Sequence, residues 1–274
     1  MSIKNILVAY NGTRGAECAL NVGMLMARKY DAHLTGILTH GLPTVLYSYG
    51  SHLPQSAMEQ LEEADREHRA KVRKAFETAT TDLESDKVHY LDVFGEADEK
   101  LMEVARTYDI VIMGANDSDS QYQHMEIHPD IITRNSGRPV LVVPEDYRTE
   151  ELSDRALLAW DNRRAAARAM SDAMKILESK SEVTVLTVGH DEDYDDVLKP
   201  IMTHLQRHNI PARAMQKPRG KGGIAAAILD AVDETGSGIL VMGAYEHSKL
   251  AEDLFGGVTN TVLKKAKVPV LLSH

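Results

Sequence analysis

Ile110-Val111-Ile112-Met113-Gly114-Ala115 returns later in the chain as Ile239-Leu240-Val241-Met242-Gly243-Ala244. Each copy is an apolar run of strand length closed by Met-Gly-Ala. Working outward, Pro139-Val140-Leu141-Val142-Val143 follows the first copy and Pro269-Val270-Leu271-Leu272 follows the second at nearly the same distance. Upstream, Ile6-Leu7-Val8-Ala9-Tyr10-Asn11 is echoed by Ala156-Leu157-Leu158-Ala159-Trp160-Asp161. Each of these is an apolar run, an aromatic residue, then Asn or Asp ahead of a helical pattern. One unit therefore occurs twice, and the first copy holds about twenty extra residues before its Met-Gly-Ala. Those residues fit best between Gly41 and Arg69. The acidic, turn-prone run Pro144-Glu145-Asp146-Tyr147-Arg148-Thr149-Glu150 is the natural linker, which divides the chain into domains 1–148 and 151–274.

Inside each unit, short apolar runs alternate with amphipathic stretches. Continuous apolar runs suit parallel strands buried on both faces. In the second unit these are 156–160, 183–188, 212–215, 238–242 and 268–272. Between them, Ala166, Met170, Ala173, Met174 and Leu177 recur at helical spacing, as do Ile224, Ala227, Ile228, Ala231 and Val232. Such alternation means right-handed crossovers and a doubly wound sheet. The expected fold class is α/β, with two tandem five-stranded parallel sheets, helices on both faces, and the two units related by a pseudo-twofold. The Pro-Val-Leu strands should lie at sheet edges, where an apolar strand must be covered. Pairing of 139–143 with 269–272 inside the chain would cover both.

The 274 residues carry 43% hydrophobic and 26% charged side chains, ordinary for a globular protein. The net charge of −10 disfavours nucleic acid and anionic membrane surfaces as partners. Cys18, the single cysteine, excludes an internal disulfide and a thiolate zinc cluster. The N-terminus has no signal-peptide layout and no apolar run reaches membrane-spanning length, so no membrane insertion is expected and a cytoplasmic location is the simplest.

Ligands of open parallel sheets bind beyond the carboxyl ends of the strands, where strand order reverses. In the second unit Asp161 closes the first strand. It can accept hydrogen bonds from an adenosine, or it can cap the following helix, and both readings stand. Thr187-Val188-Gly189 ends the second strand and offers backbone groups to an adenine edge. After Met242-Gly243, the sequence Leu254-Phe255-Gly256-Gly257-Val258-Thr259 leads into a helical pattern. Glycines let backbone approach a ligand, and the amides opening a helix form an anion site. Thr259 adds a hydroxyl. A plain glycine turn with a capped helix is the alternative.

On these residues both halves resemble the universal stress protein family, over nearly the whole chain. Nucleotide-binding members carry Gly, two residues, Gly, nine residues, then Gly with Ser or Thr. Gly243 and Gly256 stand at the first and third glycines, Val258 and Thr259 match the residues that follow, Asp161 matches the first-strand aspartate, and Val188 matches the residue whose backbone meets adenine. The middle glycine is Glu246 here, and the Ser or Thr is Gly257. The resemblance implies an adenine-nucleotide α-hydrolase-like fold of strand order 3-2-1-4-5. It also implies a stress-related regulatory binder that is often dimeric and not an enzyme, with ATP or AMP as the ligand. The implied site is Asp161, Val188, Met242, Gly243, Gly256, Gly257, Val258 and Thr259, with no catalytic residue and no metal. A slow nucleotide hydrolase and a scaffold without nucleotide stay open as alternatives. So does a homodimer of the whole chain beyond the intrachain pair.

The first unit departs further. Asn11 replaces the aspartate, and Glu126-Ile127-His128-Pro129 stands where Gly256-Gly257-Val258-Thr259 would fall. Pro129 lacks the N–H a phosphate would need. His124, Glu126 and His128 invite a metal reading, since His at i and i+4 face one way on a helix, yet Pro129 and the missing third ligand argue against it and a polar surface turn is expected instead. Lys217-Pro218-Arg219-Gly220-Lys221-Gly222-Gly223 lacks the spacing of a phosphate loop and is expected to be a turn with a helix start.

Overall fold

Strands form where the apolar runs are. The computed structural model describes residues 2–42, 53–115, 122–189, 194–244 and 257–274. By contacts the chain divides into two units, Ile3–Arg138 and Pro139–His274, with Ser2 grouped with the latter.

The first unit runs β1 (Asn5–Ala9), α1 (Arg14–Tyr30), β2 (His33–His40), α2 (Gln55–Ala79), β3 (Val88–Phe94), α3 (Ala97–Ala105), β4 (Ile110–Gly114) and α4 (Pro129–Asn135). Its strands are ordered β3-β2-β1-β4 and all pair in parallel. Ile6, Leu7 and Val8 are fully buried, as a central strand covered on both faces requires. Thr13 caps α1 through its side-chain oxygen, which accepts from the Ala16 N–H at 3.3 Å.

The extra sequence of the first copy falls between β2 and β3. There α2 is 25 residues long, against 14 for its counterpart in the second unit. Phe76 fixes α2 to the sheet. It is fully buried, its ring meets Tyr10 edge-on at 5.7 Å, and it occupies the space a side chain at Gly36 would need.

The second unit starts with β5 (Val140–Val143). It continues with β6 (Arg155–Ala159), α5 (Arg164–Leu177), β7 (Glu182–Val188), α6 (Tyr194–Arg207), β8 (Ala212–Lys217), α7 (Gly223–Thr235), β9 (Leu240–Gly243), α8 (Val258–Lys265) and β10 (Val270–Ser273). Its order is β5-β10-β9-β6-β7-β8. All neighbours are parallel except β5 and β10, which pair antiparallel in the register Val142↔Val270, Leu141↔Leu271 and Val140↔Leu272. The two Pro-Val-Leu strands thus cover each other, and β5 groups by contacts with the second unit. All eight of their residues are buried, so the apolar edges that sequence patterning exposed are removed.

Candidate functional site

β1 in the first unit and β6 in the second each run out into a short turn that opens a helix, and the chemistry of the two turns differs. In the second unit the turn is Trp160-Asp161-Asn162-Arg163. Asn162 takes a left-handed conformation (φ 60°), and Asp161 Oδ1 accepts from the Arg163 N–H at 3.0 Å. The cap position of α5 is Arg163, not Asp161. The aspartate therefore shapes the turn ahead of the helix, and its carboxylate is exposed.

In the first unit, Asn11 Oδ1 accepts from both the Thr13 N–H at 3.2 Å and the Thr13 hydroxyl at 2.8 Å. Gly12 takes the left-handed position (φ 79°). The same turn is thus built once with a charge facing solvent and once with an uncharged amide closed on its own loop.

Strand order places β6 between β9 and β7. Asp161 at the end of β6 is therefore flanked by the end of β9, with Met242 and Gly243, and the end of β7, with Val188. The order reverses here, because the chain leaves β8 at one edge and returns to β9 on the other side of β6. Trp160 Nε1, Thr187 Oγ1 and Ser273 Oγ are buried at the same carboxyl ends without a hydrogen-bond partner. Buried polar groups seldom stay unpaired.

Gly243 has a packing reason of its own. A Cβ there would lie 2.5 Å from the Ala165 carbonyl carbon and 2.5 Å from the Ala166 nitrogen. Gly114 repeats the arrangement in the first unit, where a Cβ would run into the Gly15 carbonyl carbon. The shared Met-Gly-Ala is thus first a device for seating a helix start against a strand end. Gly257 differs. It is exposed and caps α8 with no side-chain hydrogen bond, and a Cβ there would meet nothing within 4 Å. Val258 and Thr259 open α8, with Thr259 buried. Glu246 and Gly256 lie outside the described residues.

At the corresponding place in the first unit is a cleft of about 40 Å³, lined by Tyr10, Asn11, Thr39, Gly114, Met125 and Ile127 among others. That is room for a few waters. Met125, Glu126 and Ile127 form one wall, and the two histidines that the sequence singles out are engaged on either side of them. His124 Nε2 lies 2.8 Å from Asp65 Oδ1 on α2. His128 Nδ1 lies 2.8 Å from Asp98 Oδ2 on α3, and the His128 backbone N–H donates to Asp98 Oδ1 at 2.8 Å. Among the described residues no group of three or more His, Cys, Asp or Glu could hold a metal.

Burial pulls the His128 imidazolium down. The hydrogen bond and charge of Asp98, with Glu126 and Asp130, outweigh it and hold His128 above its ordinary pKa. Burial pushes Asp98 up against the bonds from His128. The His124 pair continues into a chain of charges. Arg69 donates to Asp65 at 3.1 Å and to Asp92 at 2.7 Å, and Asp92 Oδ1 lies 3.0 Å from His40 Nε2. Burial, then the Arg69 charge, holds His40 below its ordinary value. The sequence signalled His124 and His128, but their aspartate partners stand 59 and 30 positions away with no local pattern to mark them.

The sequence profile of the universal stress protein family matches residues 2–144 and again 153–274. Universal stress protein Slr1230 of Synechocystis sp. is 22% identical over 167 residues, or 60% of this chain, and the match spans 57% of that relative's length. The crystal structure of a universal stress protein from Archaeoglobus fulgidus DSM 4304 superposes with a TM-score of 0.74 at 17% identity, covering 98% of this chain and 95% of that one. A functionally unknown protein from Pseudomonas aeruginosa PAO1 superposes with a TM-score of 0.59 at 15% identity, covering 99% of this chain and 92% of that one. At these identities the two structures speak for the fold, which is the adenine-nucleotide α-hydrolase-like one in tandem. No helix among the described residues is long and apolar enough to cross a membrane.

Proposed function

The chain belongs to the universal stress protein family, and on that premise we propose that it is a cytoplasmic stress-related regulator whose second half binds an adenine nucleotide without turning it over. The observation that carries this reading is the exposed Asp161 carboxylate at the end of β6, flanked by the ends of β7 and β9 at the reversal of strand order. A carboxylate there can accept hydrogen bonds from an adenosine, and charge-assisted bonds are the strong ones. The amides opening α8 at Gly257, Val258 and Thr259 have no side-chain cap at Gly257 and are suited to an anion. Val188, Met242 and Gly243 lie at the neighbouring strand ends, and the family resemblance adds Gly256 to the site. The first half offers Asn11 bonded within its own turn, Glu126-Ile127 in place of the two glycines and Pro129, which lacks an N–H, in place of Thr259, so it takes no nucleotide.

Glu246 and Gly257 tune this site away from triphosphate. A carboxylate about 4 Å from a phosphate costs on the order of 1 kcal/mol in water and more when shielded from it. Gly257 removes a hydroxyl donor worth roughly 0.5–1.5 kcal/mol. AMP or adenosine is therefore held better, relative to ATP, than in a chain carrying glycine and serine at these positions. Calorimetric titration of ATP and adenosine into the wild type and into Glu246→Gly with Gly257→Ser tests this. The double variant should gain ATP affinity with adenosine affinity unchanged. An unaltered ratio of the two affinities, or steady release of ADP from ATP by the wild type, overturns the reading.

A further inference from the structure

Residues 122–129 of the first half are fastened at two points, and the two fastenings respond differently to protons. At one end His124 is paired with Asp65 on α2, and its carbonyl accepts from the Gly41 N–H at 3.1 Å. At the other end Asp98 on α3 holds His128 by both its backbone N–H and its ring Nδ1. Between the fastenings, Met125, Glu126 and Ile127 form a wall of the first-half cleft. The Asp98 side chain is 7% exposed and the His128 side chain 43%. The carboxylate is thus locked in, while the ring's far edge can exchange protons with water. We propose that residues 122–129 are a proton-operated strap over the first-half cleft, fastened when His128 carries its second proton and loosened at the His128 end when it loses it.

The charges around the ring set the direction. Asp98 faces it from α3, Glu126 from the strap itself and Asp130 from α4, and Glu96 acts on Asp98 from the start of α3. All are negative. With the imidazolium present, Asp98 has a full counter-charge. Once the imidazolium loses its proton, the Nδ1–H still donates, but a nearly buried carboxylate is left among three other acids with no cation opposite it. Breaking one partner of such a pair exposes the desolvation cost of the other. His128 sits above its ordinary value in the fold. The contribution of this pair is therefore complete below about pH 6.5 and is lost as pH rises through the folded value. The surroundings of the other fastening, Asp65, Arg69, His68 and Tyr122, do not include this pair, so Gly41 and His124 should stay joined. The strap loosens at one end only.

The structure supplies its own reporters. The His128 amide donates to Asp98, and the Ile131 and Ile132 amides donate to the His128 carbonyl. Amide hydrogen exchange of the full chain, corrected for intrinsic rates, should be followed between pH 6 and 9 at these three positions and at Gly41. Protection at His128, Ile131 and Ile132 should fall with rising pH, by about tenfold for each unit by which the pair raises His128. Gly41 should not change.

Asp98→Asn should invert the slope. Its amide oxygen accepts the His128 N–H, and its amino group donates to an unprotonated Nδ1, so the variant is fastened best when the ring is neutral. Should that variant not fold, His128→Gln keeps a neutral side chain and should give a flat profile. Protection in the wild type that does not vary with pH, or a wild-type slope in either variant, overturns the proposal.

Discussion

Adding one methyl group at Gly243 is the sharpest test of why the Met-Gly-Ala motif appears twice. A Cβ there would stand 2.5 Å from two backbone atoms of α5 and 2.8 Å from the Ala165 Cβ. Ordinary carbon contact is about 3.5 Å, so the start of α5 must retreat by about 1 Å from β9. Because the obstacles are backbone rather than the end of a flexible side chain, relaxation has to move the whole first turn. Overpacking of this kind costs ~1–3 kcal/mol, and the upper end is expected here. In a unit of this size each kcal/mol lowers the melting temperature by roughly 2–4 °C. Gly243→Ala should therefore unfold at a visibly lower urea concentration and temperature. Gly257→Ala, where nothing lies within 4 Å, should stay within about 0.5 kcal/mol of wild type. Equal stability of Gly243→Ala and the wild type would refute the packing argument and leave ligand approach as the motif's only role.

Phe76→Ala should cost ~3–5 kcal/mol, because it empties the fully buried contact of α2 with Tyr10, Tyr90 and Gly36. Urea melts followed by circular dichroism check this, and a loss below about 1 kcal/mol would mean that α2 is held by its charged network instead. That network gives a pH prediction. His40 and His68 both lie below their ordinary pKa, chiefly because burial disfavours the charged ring. Their folded values lie beneath the unfolded ones, so their contribution is whole above about pH 6.5 and is lost as pH falls through the folded values. The urea midpoint should drop between pH 7 and pH 5, and His40→Gln should flatten part of that drop. An unchanged slope in the variant removes His40 from the account.

The fold was legible because the repeat is written twice in apolar runs, and buried parallel strands need such runs. The covering of the Pro-Val-Leu strands was legible for the same reason, since four apolar residues at an edge must be hidden. The extra sequence expected between Gly41 and Arg69 falls partly outside the described residues, and the described part of it opens the long helix α2.

The site was legible only in part. Asp161 could be picked out, but not the fact that it shapes a turn while Arg163 takes the cap position. From sequence alone Gly243 reads as room for a ligand. Its contact with Ala165 and Ala166 became visible only when a helix start and a strand end from distant sequence came together. The His124 and His128 fastenings were hidden for the same reason. A buried ion pair leaves no periodic trace, and a stretch that reads as a polar surface turn carries no sign that the fold sets two separate aspartates against its histidines.

Calorimetric titration of AMP into the full chain and its Asp161→Ala and Asn11→Ala variants addresses the central claim most directly. The wild type should bind one AMP per chain. Asp161→Ala should weaken binding at least tenfold, because a hydrogen bond to a charged group is worth ~1.5–3 kcal/mol, and Asn11→Ala should leave it unchanged. Two equivalents of AMP per chain, or loss of binding in Asn11→Ala with none in Asp161→Ala, would contradict the assignment of the nucleotide to the second half.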